Sequence, residues 1–221
     1  SELTDLNALA GLTSLIELDL SMCTALTNVN NITSLKSLRS LDLHWCQKLT
    51  NVDGLAALSS LTSLDLSECK SLINVDGLAP LISLTSLDLS ECRTLTKLDG
   101  LATLTSLTTL SLSKCRALRS LDVLAGLSSL TTLDLSECRA LISVDDLSRL
   151  RSLIEINLSG CKNLTQIGPL SDNAVIKEII LDGCPSIRDL DGLATCLELR
   201  ELSYDIDPPA AVAVLAATAC L

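Results

Sequence analysis

The sequence predicts an α/β solenoid: a stack of short coils with a parallel β-sheet on one face and short 3₁₀ or turn segments on the other. Three observations carry this. A 23-residue unit repeats without insertion, its first part alternates polar and apolar residues, and its remainder is apolar at every third position.

The repeat is clearest in residues 61–83, LTSLDLSECKSLINVDGLAPLIS. With Leu61 as position 1, that position recurs at Leu15, Leu38, Leu61, Leu84, Leu107, Leu130, Leu153, Ile176 and Leu199. Positions 4 and 6 are aliphatic in nearly every unit, and position 9 is Cys in eight consecutive units, from Cys23 to Cys184. Leu3, Leu6, Leu9 and Leu12 fit the second half of a unit, so the chain is expected to open in mid-repeat as part of a longer protein. The domain expectation is a solenoid over residues 1–207, a partial first repeat and then nine in-register units, closed by a capping segment at 208–221.

Within each unit, Ser63-Leu64-Asp65-Leu66-Ser67 reads as a half-buried strand with period two. Leu72, Val75, Leu78, Leu81 and Leu84 then follow at a spacing of three, which suits 3₁₀ geometry better than the 3.6 period of an α-helix. Asp-Gly at positions 16 and 17, as in Asp76-Gly77, is expected to cap the short helical turn through Asp, with Gly supplying turn geometry. Stacked carboxylates at these positions also invite a calcium reading. Near the end the pattern loosens. Asn173 and Cys196 replace the position-21 Leu, and Asp207-Pro208-Pro209 before an apolar run reads as the start of a capping helix.

Composition bounds the function. The chain of 221 residues is 48% hydrophobic but 1% aromatic, so its core is built from Leu without Phe. Mean hydropathy is +0.45, yet no apolar run reaches the ~20 residues of a spanning helix. A net charge of −11 argues against nucleic acid or an anionic membrane as partner and favours a neutral or basic protein. Cysteines stacked at one position, without a C-x-x-C pair, read as buried structural thiols, not as zinc ligands or disulfides. That places the chain in a reducing, cytoplasmic compartment; a surface location would need a signal peptide absent from this sequence. No metal or cofactor is expected.

LxxLxLxxC, as in Leu61, Leu64, Leu66 and Cys69, resembles the strand segment of the leucine-rich repeat family, with Cys in the ladder position. Asn74 to Leu81, NVDGLAPL, is similar to the short repeats of internalins and of the leucine-rich regulatory subunit of type 1 phosphatase. The resemblance spans residues 3–206. It implies a curved right-handed horseshoe whose concave parallel sheet binds other macromolecules through positions 3, 5, 7 and 8.

On that face Asp19, Asp42, Asp65, Asp88 and Asp134 form a position-5 column, with hydroxyls at positions 3 and 7 placed to soften its repulsion. The plain reading of this column is a hydrated, solubilising surface. Lys70, Arg93, Arg116, Arg139 and Lys162 form a basic line that the neighbouring glutamates largely cancel. Departures from the consensus point to a partner site. His44 and Trp45, the single His and single Trp, stand beside Met22, Arg39 and Asp42. Toward the C-terminus, Ile180 replaces the column Asp, surrounded by Glu155, Glu178, Glu201, Asp182 and Asp205 and by Gly160 and Gly183, a setting that suits a basic, partly apolar segment.

Asp42, His44, Ser21 and Ser67 also permit a Ser-His-Asp reading, but an open sheet lacking a pocket and an oxyanion hole is a poor catalytic site, so no catalytic residues are expected. The expected function is a protein-interaction scaffold. The alternatives are a structural spacer array and a calcium-stabilised surface adhesin.

Overall fold

Position 4 of every unit faces inward and position 3 and 5 side chains do not, and this alternation fixes the sheet. The computed structural model describes residues 3–188 and 190–204; the expected capping segment, Asp205 and Asp207 lie outside the described residues. Nine strands, β1 (Glu17–Asp19), β2 (Ser40–Asp42), β3 (Ser63–Asp65), β4 (Ser86–Asp88), β5 (Thr109–Ser111), β6 (Thr132–Asp134), β7 (Glu155–Asn157), β8 (Glu178–Ile180) and β9 (Glu201–Ser203), form one parallel sheet in chain order. Register is position on position: Leu41 pairs with Leu64 and Leu64 with Leu87. The strands are shorter than the alternating pattern, but the hydrogen-bond ladder runs on, with Leu43 N donating to Asp65 O and Trp45 N to Ser67 O.

Behind the sheet, positions 6, 9, 12, 15, 18, 21, 1 and 4 supply one continuous core, in which Leu66, Cys69, Leu72, Val75, Leu78, Leu81 and Leu84 have no exposed surface. Burying each such leucine stabilises by about 1.5–3 kcal/mol relative to leaving it in water, so a core without Phe is still strong. The spacing of three is realised as 3₁₀ segments such as Asp53–Ala57, Asp76–Leu78 and Asp99–Leu101.

The Asp-Gly pair works differently from the sequence reading. Asp is the first residue of the 3₁₀ turn, and where Asn or Ser stands two positions earlier that side chain receives its N–H: Asp53 N donates to Asn51 Oδ1 at 3.4 Å, Asp76 N to Asn74 Oδ1 at 3.3 Å and, in a coil where Asp replaces the Gly, Asp145 N to Ser143 Oγ at 3.0 Å. Of these aspartates, Asp122 also accepts from the next residue, through Val123 N at 3.0 Å. Gly is required for close stacking, not for a turn. A Cβ on Gly54, Gly77 or Gly100 would lie 2.2, 2.5 or 1.9 Å from the carbonyl oxygen of Val29, Val52 or Val75 in the preceding coil.

From Cys46 to Cys184 each ladder thiol points into the core and donates to the position-6 carbonyl of the preceding coil: Cys69 to Leu43 O at 3.4 Å, Cys92 to Leu66 O at 3.2 Å, Cys138 to Leu112 O at 3.1 Å. None of the nine described cysteines is in a disulfide. Burial pushes the Cys46 thiol up to about 11 and those of Cys92 and Cys138 up to about 12. The loosened position 21 has its own version of the bond, since Asn173 Nδ2 donates to Leu147 O at 3.3 Å and Cys196 Sγ approaches Leu170 O at 3.7 Å.

Candidate partner-binding surface

Where the position-5 residue is Asp or Asn, its side chain turns back at the strand end and takes the N–H of position 7. Asp42 Oδ1 accepts from His44 N at 2.7 Å, Asp65 from Ser67 N at 2.7 Å, Asp134 from Ser136 N at 2.8 Å, and Asn157 from Ser159 N at 3.0 Å. The acidic column is therefore built into the strand exits, a role beyond that of a hydrated surface. Asn serves equally, because only the acceptor oxygen is used. Burial raises the pKa of Asp88, with Asp65 and Asp134 adding to the effect, while the Ser90 N–H and hydroxyl act against it.

Position 8 follows in a left-handed backbone conformation in each of the first eight coils. Met22, Trp45, Glu68, Glu91, Lys114 and Glu137 have φ between 54° and 59°, and Gly160 and Gly183 have 71° and 73°. For a non-glycine residue this costs roughly 1–2 kcal/mol. A lateral hydrogen bond of similar magnitude offsets it: Met22 N to His44 O and Glu68 N to Ser90 O, both at 2.7 Å. The geometry sets out one side chain per coil in a fixed row.

At the N-terminal end of that row stand Met22, 53% exposed, and Trp45, 37% exposed. Trp45 is held from two sides. The His44 ring meets it edge-on, with centroids 5.9 Å apart, and the Lys70 ammonium lies 5.6 Å from its centroid. His44 Nδ1 lies 2.8 Å from Ser67 Oγ, which in turn donates to Asp65 Oδ1 at 2.5 Å. Met22, Asp42, His44 and Trp45 thus sit together at the strand exits. Arg39 precedes β2 and lies at the other end of that strand. The order His44, Ser67, Asp65 places the hydroxyl between imidazole and carboxylate, whereas a Ser-His-Asp relay needs the imidazole in the middle.

The C-terminal group is assembled by register. Glu155, Glu178 and Glu201 are aligned on β7, β8 and β9, and Ile180 lies between Asn157 and Ser203. Asp182 Oδ2 accepts from Ser203 Oγ at 2.5 Å. Gly160 and Gly183 present no side chain beside it.

The basic line is paired along most of its length. Glu68 holds Lys70 at 3.2 Å, Glu91 holds Arg93 and Lys114 at 2.7 and 2.8 Å, and Glu137 holds Arg139 and Arg116 at 2.9 and 3.5 Å. Lys114 and Arg93 hold the Glu91 carboxyl down at about 2. Two shallow concavities, about 640 and 480 Å³, lie off the strand face, one lined by residues preceding the strands and the other by residues beyond the Cys ladder. Among the described residues, no group of three or more His, Cys, Asp or Glu side chains is arranged to hold a metal ion, and no helix is long and apolar enough to cross a membrane.

The left-handed row was not read from the sequence, although Gly160 and Gly183, occupying the position of Trp45, were its signal. The Lys70–Trp45 contact was missed because Lys70 was assigned to the basic line alone.

Nine in-register parallel strands, a buried ladder and 3₁₀ returns define a repeat solenoid. The fold is the leucine-rich-repeat solenoid. Residues 76–143 match the Zer-1-like leucine-rich repeats, and no curated protein matches significantly. Among solved structures, internalin F of Listeria monocytogenes strain 4b F2365 is similar with a TM-score of 0.74 and 20% identity; the match covers 95% of this chain and 60% of that one. Internalin C2 of the same strain has a TM-score of 0.67 and 25% identity over 81% of this chain and 76% of its own. The leucine-rich repeat domain of the type III effector XopL gives 0.71 and 20%, over 87% and 70%. This chain thus spans about three fifths of the internalin F chain, and these likenesses concern the fold.

Proposed function

We propose that this solenoid is a non-catalytic scaffold that binds a protein partner on its concave face, with Met22, His44 and Trp45 as the principal contact. The observation that carries the reading is Trp45: a large apolar ring, part exposed, on a backbone held by a lateral hydrogen bond and steadied by His44 and Lys70. An anchor of that kind is immobilised before binding, so little side-chain entropy is lost on contact. Asp42 adds charge beside it. Arg39 joins only with a partner that crosses the width of the strand face.

Glu155, Glu178 and Glu201 around Ile180 form a second contact for a basic, partly apolar segment, in keeping with a chain of net charge −11 and a neutral or basic partner. Buried thiols without disulfides suit a reducing compartment.

Affinity capture at physiological salt, with wild type and Trp45→Ala side by side, tests the proposal. A specific protein retained by wild type and lost from the variant supports it. Recovery of no specific protein favours a spacer array instead.

A further inference from the structure

We propose that the flank beyond the Cys ladder carries a second, independent docking site that takes a phosphoserine- or phosphothreonine-bearing segment of a partner protein. The concavity of about 480 Å³ on this flank is lined by Arg116, Arg119, Arg139, Ala140, Ile142 and Asn163. Three guanidinium groups on one small surface are out of keeping with a chain of net charge −11. Their neutralisation is incomplete. Arg116 and Arg139 share the single carboxylate of Glu137, at 3.5 and 2.9 Å, and Arg119 has no ion-pair partner among the described residues. The next coil adds no acid at the row's edge, because its position 8 is Gly160 and its basic residue is Lys162.

The charge of the ligand follows from Glu137. A carboxylate side chain arriving at this site would replace one monoanion by another and gain little. A phosphate monoester carries about −1.5 to −2 at pH 7 and three acceptor oxygens, enough to engage Arg119 and draw Arg116 or Arg139 from Glu137 in forked hydrogen bonds. Ile142, 59% exposed, and Ala140 border the guanidinium groups. They offer an apolar neighbour to a residue flanking the phosphate, which a peptide supplies. Nucleic acid fits poorly, since no aromatic side chain lines the concavity for base stacking. An anionic bilayer fits poorly too, because a flat charged surface would approach the acidic remainder of the chain.

The test uses the whole chain and short peptide libraries centred on phosphoserine, on serine and on glutamate, with Arg119→Glu and Arg119→Gln as variants and phosphatidylserine vesicles as a separate arm. The expected result is retention of the phosphoserine library over both others, with affinity falling about tenfold in each variant. Circular dichroism establishes that the variants are folded, and Arg119→Gln decides if Arg119→Glu is not. Equal retention of the three libraries, or phosphoserine binding unchanged in Arg119→Gln, overturns the proposal. So does arginine-dependent vesicle binding without peptide preference, which would assign the site to lipid.

Discussion

His44 Nδ1 and Ser67 Oγ lie 2.8 Å apart on neighbouring coils, and the hydroxyl is also 2.5 Å from Asp65 Oδ1. A hydroxyl has one proton, and the carboxylate takes it, so the imidazole must supply the other. Neutral His44 therefore carries its hydrogen on Nδ1 and presents Nε2 to a partner as an acceptor. Nitrogen chemical shifts should identify Nε2 as the unprotonated ring nitrogen in the neutral form. In Ser67→Ala that preference should disappear and the fold should lose about 1 kcal/mol, the net worth of the bonds removed. A proton on Nε2 of neutral wild type would contradict this arrangement.

Gly100 and Gly168 separate two reasons for keeping glycine. A Cβ at Gly100 would lie 1.9 Å from Val75 O, whereas at Gly168 nothing lies within 4 Å. Gly100→Ala should destabilise by about 2–3 kcal/mol as the coils are forced apart. Gly168→Ala should stay within about 0.5 kcal/mol of wild type. Urea unfolding of both variants checks the contrast.

The repeat made most of this fold legible. A position recurring every 23 residues stacks on itself, so the spacing alone assigns Leu64, Leu66 and Cys69 to the core and marks the thiols as structural. Gly77 was misread because a glycine needed for close approach and one needed for a turn look alike in sequence. In the candidate site, Trp45 and Met22 stood out as departures from a Glu-rich position. Their left-handed backbone did not, since six of eight residues there carry side chains that ordinarily avoid it. Arg39 adjoins Ser40 in sequence yet is separated from Trp45 by the length of β2, a consequence of strand geometry that counting neighbours conceals.

The thiol ladder should make the protein sensitive to alkali. Burial raises the Cys92 pKa from 9.0 to about 12, so the unfolded chain ionises first as pH rises. Its stabilising contribution is whole below about pH 9 and is lost upward through about pH 12, at about 1.4 kcal/mol per pH unit. Cys92→Ala should cost about 1–2 kcal/mol at pH 8 through the small cavity and the lost thiol bond. Between about pH 8 and 10.5, wild type should lose about 2 kcal/mol more than the variant, closing the gap. Urea unfolding at the two pH values measures this; parallel pH profiles would contradict it.

The central claim is that Trp45 anchors a partner without holding up the fold, and Trp45→Gly tests it most directly. Gly160 and Gly183 already occupy the equivalent position, and φ near 59° at Trp45 favours glycine. The variant should therefore fold with a melting temperature close to that of wild type. Calorimetric titration with the captured partner should show affinity reduced by at least about 2 kcal/mol, roughly 30-fold, in the folded variant. Equal affinity of the folded Trp45→Gly protein and wild type would contradict the account.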